Sequence, residues 1–212
     1  MDRAILLKIN QDWSHPALDR IMVAFSSLPV WTPIFAILIV ALIWKGTWRV
    51  RLFFVVLGVT IAVNDGIVAR TLKHTVNRPR PHQTELGIVT RSIHRDGIAQ
   101  IAIFKPIRIR DSKPSEKGTI EGRSFPSAHT MNTFAAATAT FLCFGRWWWL
   151  LYLPASLVAY SRVYTGSHWP SDIPPSIAMG VLFGWLVPVL LNRAWKTYGA
   201  RFHHLCPSLL KN

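Results

Sequence analysis

Between residues 161 and 172 the sequence reads SRVYTGSHWPSD, which sets Arg162, His168 and Asp172 between two apolar runs. Two further clusters mix charge with apolar flanks in the same way: KHTVNRPRP from Lys73, and PSAH over residues 126–129. Together they supply the cations Lys73, Arg80 and Arg162, the Ser127 hydroxyl, the imidazoles of His129 and His168 and the Asp172 carboxylate. Each has a structural use when taken singly. Lys73 suits a helix C-terminus, Ser127 and Asp172 suit helix starts, and either histidine suits a hydrogen-bonded interface. Gathered on one face, however, three cations and two imidazoles repel one another, and an anion among them relieves that repulsion. A helix beginning at Ser127 would add backbone N–H groups to the same anion site.

The elements that must bring these clusters together are membrane spans. Half of the 212 residues are hydrophobic and ten are Trp, a composition unusual for a soluble domain. Each crossing of the hydrocarbon takes roughly 20 apolar residues, so the length suits a single domain over residues 1–212. Residues 1–28 mix apolar and charged side chains at helical spacing and predict one or two amphipathic helices lying in the interface. They lack the positive start, unbroken apolar core and small-residue site of a cleaved signal peptide. Spans one and two fall in residues 29–72, the second interrupted by Asn64-Asp65-Gly66, with Asp65 expected in a buried structural pair. Spans three to five fall in residues 127–191, the fourth opening on the interfacial belt Trp147, Trp148 and Trp149, and residues 192–212 form a basic tail.

Between Lys73 and Phe125 the chain turns polar, with ten Lys/Arg after Lys73 against five Asp/Glu. Residues 98–110 alternate around Lys105 and Pro106, which predicts a small β-ribbon within them. Parity then places the end of span two, the start of span three and the link between spans four and five on one side of the membrane. The formal charge of +14 has no zinc-finger, helix-turn-helix or RNP-like pattern to make it a nucleic-acid binder, and anionic lipid is the better partner. Cys143 and Cys206 have neither the number nor the spacing of a disulfide framework or a zinc site.

These clusters resemble the three-part signature of the type-2 phosphatidic acid phosphatase family. It consists of Lys, six residues, Arg-Pro (Lys73, Arg80, Pro81); Pro-Ser-x-His (Pro126, Ser127, His129); and Ser-Arg, five residues, His, three residues, Asp (Ser161, Arg162, His168, Asp172). Ala128 stands where the family most often has Gly, which keeps the backbone N–H but narrows the backbone angles. The resemblance implies an all-α integral membrane bundle of five to six transmembrane helices, although the N-terminal region lacks a full first span. It also implies a metal-independent lipid phosphatase without a cofactor. Lys73, Arg80 and Arg162, with Ser127 and the Ala128 N–H, would hold phosphate. His168 would be the nucleophile and form a phosphohistidine, Asp172 would orient its other ring nitrogen, and His129 would protonate the leaving oxygen and later activate water.

Two other readings use the same residues. Vanadium-dependent haloperoxidases bind vanadate with a similar set but are soluble, and a transporter or anionic-lipid-binding protein would need no histidine pair. For substrate, the long basic loop and compact length are similar to lipid A 1-phosphatases of the family. Phosphatidylglycerol phosphate, phosphatidate and undecaprenyl diphosphate are the alternatives. Arg91, Arg95, Arg108, Arg110 and Lys113 are the candidates to grip a large anionic headgroup. Sidedness comes from the resemblance alone, which implies a bacterial inner membrane protein whose site and ribbon face the periplasm. Residues 120–123 read IEGR, a protease recognition sequence.

Overall fold

The computed structural model describes residues 1–93, 99–102, 104–112 and 122–210. The chain opens with α1 (Asp2–Leu7), a π-helical turn (Lys8–Asp12) and α2 (Pro16–Ser26), too short to cross a membrane. Their inner side chains Leu6, Asn10, Asp19, Met22 and Val23 are buried against the rest of the protein. These segments are therefore amphipathic, and they cover the end of the bundle where the polar clusters meet.

After them, α3 (Leu28–Lys45) is apolar on every side and buries none of its residues. Ile37 is 73% exposed and Trp44 78%, a surface that only hydrocarbon would cover at low cost. The next helical stretch is continuous over Trp48–Val76, comprising α4 (Trp48–Ile61), a π-helical segment (Ala62–Ala69) and α5 (Arg70–Val76). Asn77, in the left-handed region at φ 48°, ends it just before Arg78-Pro79, where a proline disfavours helix in the residue ahead of it.

Beyond α6 (Pro81–Thr84) lie β1 (Val89–Ser92), α7 (Ala99–Ala102) and β2 (Arg108–Asp111), and the two strands pair antiparallel with Val89 opposite Asp111. Then come α8 (Ala128–Phe144), a 3₁₀ turn (Arg146–Leu151), α9 (Tyr152–Tyr164), a second 3₁₀ turn (Pro170–Asp172) and α10 (Ile173–Tyr198). α8 packs along α10 more extensively than any other pair of elements. The approach is close because α10 offers glycine there: a Cβ on Gly184 would stand 2.7 Å from the Ala135 Cα. This contact sets the start of α8, with Ser127 and His129, beside the start of α10, with Asp172.

The expected spans are found in part, and two other expectations need correction. Among the described residues three helices, Leu28–Lys45, Trp48–Val76 and Pro170–Tyr198, are long and apolar enough to cross a membrane, whereas α8 and α9 have 17 and 13 residues. The ribbon draws its first strand from residues 89–92 and not from 99–102, where α7 forms: alternation fixes a strand's faces but does not choose its partner. Asp65 is not in a buried pair. It is exposed, and the neighbouring Asn64 is the buried residue, because the π-helical segment departs from the regular 3.6-residue register. Arg95, Lys113 and the first two residues of the IEGR stretch lie outside the described residues.

Candidate active site

The chain reversal after α5 brings the first cluster against the segment that leads into α8. Pro79 and Arg123 form an antiparallel bridge, and the Ser124 N–H donates to the Arg78 carbonyl at 2.7 Å. The third cluster enters from α9. Its turn is fixed by Gly166 at φ 69°, where a Cβ would stand 2.9 Å from the Ile88 side chain and 3.0 Å from the Val89 carbonyl. His82 Nδ1 lies 3.2 Å from the Gly166 carbonyl and ties that turn to α6. The outcome is that His168, only 3% exposed, is carried between α9 and α10 with little freedom.

Its ring is oriented by the backbone. Nδ1 lies 2.6 Å from the Ser124 carbonyl oxygen. A carbonyl only accepts, so Nδ1 carries the hydrogen and Nε2 keeps its lone pair. The Asp172 carboxylate is 3.7 Å from Nδ1, beyond hydrogen-bond distance, and acts on the ring by charge. Asp172 faces the expected nitrogen, with the Ser124 carbonyl as its nearer acceptor. Asp172 works through the groups around it: its Oδ2 accepts from the Ser124 hydroxyl and from the Trp169 N–H at 3.0 Å, and its Oδ1 accepts from Arg78 Nη1 at 2.6 Å. Arg78 in turn donates through Nη2 to Asp2 at 2.7 Å, while Asp2 also accepts from the Ser171 N–H at 3.0 Å and its hydroxyl at 2.6 Å. An N-terminal carboxylate thus braces the arginine that braces Asp172.

The cations converge on the same place. Lys73, Arg80, Arg162, His129 and His168 lie within electrostatic reach of one another. Arg162, 7% exposed, is aimed by α2: its Nη1 donates to the Ser26 carbonyl at 3.0 Å and to the Ser26 hydroxyl. Nε of Arg80 and Nε of Arg162 are both buried without a hydrogen-bond partner. Two orphaned guanidinium donors in one cationic cluster are what an oxyanion would satisfy. Ser127 stands immediately before α8, at its N-cap position, but its hydroxyl does not cap the helix. It accepts from Thr130 at 2.9 Å, while its N–H is taken by Ser176 at 2.9 Å. Ala128 and His129 are the first two residues of α8, where backbone N–H groups lack intrahelical acceptors. Burial, then the charges of Arg162 and Arg80, push the His168 imidazole down to about 4 against the opposing pull of Asp172, which leaves it neutral at physiological pH.

Of the headgroup candidates, Arg91 is committed elsewhere. It is 8% exposed, its Nε pairs with Asp19 at 2.7 Å and its guanidinium lies over the Tyr164 ring at 5.0 Å, so it fastens α2 and the ribbon to α9. Arg110 is exposed and Arg108 half-buried on β2. Reasoning from the sequence missed Arg78, Ser124, Ser26 and Asp2. Ser124 acts partly through its carbonyl, which no residue type announces, and Asp2 and Ser26 lie far from the signature in sequence.

The profile of the PAP2 superfamily matches residues 50–196. A lipid A 4'-phosphatase of Bacteroides thetaiotaomicron is 29% identical over 189 residues, covering 88% of this chain and 75% of that protein. An undecaprenyl-diphosphatase of Sulfolobus acidocaldarius is 32% identical over 106 residues, covering 48% of this chain and 45% of its own length. The crystal structure of Aquifex aeolicus LpxE superposes with a TM-score of 0.60 at 22% identity, over 87% of this chain and 93% of that one, and so shares the fold. With its signature residues gathered at one end of an apolar helical bundle, the chain belongs to the PAP2 superfamily of membrane phosphatases, which hydrolyse phosphate esters.

Proposed function

We propose that this protein removes a phosphate monoester from an anionic lipid by way of a phosphohistidine on His168. The observation that carries this reading is the pairing of a buried, backbone-oriented His168 with two orphaned guanidinium donors. Lys73, Arg80 and Arg162 hold the nonbridging oxygens, aided by the start of α8 at Ser127 and Ala128. The Nε2 lone pair forms the bond to phosphorus as the bond to the lipid oxygen breaks, and His129, which takes up a proton once the bound phosphate offsets the surrounding cations, gives that proton to the leaving oxygen. His129 then takes a proton from water, whose oxygen attacks phosphorus, and the N–P bond breaks to release phosphate and restore His168. Asp172 stabilises the cationic ring by charge across 3.7 Å. Three fixed cations supply the charge stabilisation that a metal gives elsewhere, so phosphate release should persist in EDTA.

Lipid A is the favoured substrate class, because the relative that spans 88% of the chain is a lipid A phosphatase. Position 1 is the expectation from the compact length and basic loop, and position 4' is the one named for that relative. A second reading, a lipid diphosphate, is favoured by the undecaprenyl-diphosphatase match. On sidedness, Lys45, Arg49, Arg51, Arg146, Arg193, Lys196 and Arg201 gather at the helix ends opposite the site, in segments without Asp or Glu. The loops on the site's own side carry still more Lys and Arg, so charge does not choose between the two ends, and a periplasmic site in the inner membrane is proposed on the resemblance to the family. Phosphate release from purified lipid A 1-phosphate, lipid A 4'-phosphate, phosphatidylglycerol phosphate, phosphatidate and undecaprenyl diphosphate tests the assignment. Turnover fastest on lipid A supports it, and preference for any other lipid replaces it.

A further inference from the structure

We infer that the basic cavity beside the catalytic cations is a second anion subsite that takes a further phosphoryl group of the substrate headgroup; this rests on the phosphatase reading above. The cavity holds about 310 Å³ and is lined by Arg70, Lys73, His74, Arg80, Gly122 and Arg123. That volume is at the lower end of the range of about 300–1,000 Å³ for small-ligand sites. Lys73 and Arg80 belong to the cradle of the transferred phosphate. Arg70, His74 and Arg123 do not, and the transfer chemistry makes no use of them. No carboxylate lines the space among the described residues, so four cations share it without a counter-charge in its wall. Mutual repulsion makes such a wall costly unless an anion occupies it.

The wall is built as well as charged. Arg123 Nε donates to Asn77 Oδ1 at 2.6 Å, and its Nη1 lies 2.9 Å from His74 Nδ1. Arginine has only donors, so His74 accepts through Nδ1 and carries its hydrogen on Nε2. Held at Nε by Asn77 and at Nη1 by His74, the Arg123 guanidinium offers Nη2 to a phosphoryl oxygen, and His74 adds an N–H donor. Arg70 and His74 are one helical turn apart and so share a face of the helix. The bridge between Pro79 and Arg123 fixes this group relative to Arg80. Because Lys73 and Arg80 line both spaces, the second phosphoryl group sits next to the one transferred. A diphosphate reaches it through the linking oxygen; a headgroup phosphorylated at two positions reaches it with its second phosphate.

The test compares Arg70→Gln, Arg123→Gln and the double variant with the unsubstituted protein in detergent. The substrates are a lipid monophosphate with a neutral headgroup, a lipid diphosphate and a lipid carrying two separate phosphates. The ratio of kcat/KM for a two-phosphoryl lipid over the monophosphate should fall about tenfold or more in the double variant, chiefly through KM. A fall with the diphosphate alone assigns adjacent phosphates, and a fall with the other lipid alone assigns separated ones. An unchanged ratio with both overturns the subsite. A readout without turnover uses His168→Ala protein and soluble probes, inorganic pyrophosphate against inorganic phosphate. Pyrophosphate should bind at least about tenfold tighter, and adding Arg70→Gln and Arg123→Gln should remove most of that preference. A preference that survives them also overturns the subsite. If His168→Ala keeps full activity, the phosphohistidine reading fails while the pyrophosphate measurement still judges the cavity. Should Arg123→Gln fail to fold, Arg70→Gln alone carries the comparison, since it alters an exposed position on a helix.

Discussion

The Nδ1 atom of His168 lies 2.6 Å from the carbonyl oxygen of Ser124, closer than the Asp172 carboxylate at 3.7 Å. A backbone acceptor therefore fixes the tautomer, and the acidic residue of the signature supports the acceptor's segment by bonding the Ser124 hydroxyl. Ser124→Ala removes the hydroxyl but keeps the carbonyl, so kcat should fall only about tenfold, whereas Asp172→Asn should cost about 10²-fold or more because it also removes the charge beside the ring. Equal losses in the two variants would show that Asp172 acts only through Ser124.

Arg78 should behave as a positioning residue. It spans Asp172 and Asp2, and Arg78→Gln would leave the Asp172 carboxylate buried without its 2.6 Å guanidinium contact. We expect kcat to fall by about tenfold or more with little change in KM, and the pH dependence of kcat to shift as Asp172 loses its counter-charge. Loss confined to KM would place Arg78 on the substrate instead.

The pH dependence of stability follows from His168. Its imidazole is held down to about 4, below the unfolded value of about 6.5, mainly by burial. Between those values the unfolded chain binds a proton that the ligand-free folded protein does not, so stability is present above about pH 6.5 and is lost as pH falls through the window. His168→Gln should flatten that part of the curve. Thermal unfolding in detergent from pH 7 to pH 4 checks it, and an unchanged slope would mean that other groups carry the acid sensitivity.

Gly166 tests how tightly the turn sets His168. An alanine there needs a positive φ, which costs about 1–2 kcal/mol, and its Cβ would press on Ile88 and Val89. Gly166→Ala should lower Tm and kcat together, and unimpaired turnover would argue that the turn has slack.

The sequence made the reacting groups legible because phosphate chemistry demands particular residue types at particular spacings, and Lys73, Arg80, Arg162, His129 and His168 do converge. The apolar runs were legible because lipid accepts little else. What could not be read were contacts that depend on which distant segments meet. Arg91 looked like an exposed loop cation, yet its partner Asp19 sits on α2, 72 positions earlier. Asp2 and Ser26 belong to helices whose amphipathic pattern gave an inner face but no address for it. The ribbon's alternation was real for residues 108–111, but its mate came from residues 89–92.

The covalent intermediate tests the central claim most directly. Protein incubated with a lipid carrying a radiolabelled phosphate and quenched within the first turnover should carry label on His168. That label should be labile in acid and stable in base, increase in His129→Ala as hydrolysis of the intermediate slows, and vanish in His168→Ala. Steady phosphate release without label on the protein, or release by His168→Ala at more than a few per cent of the unsubstituted rate, would contradict the account.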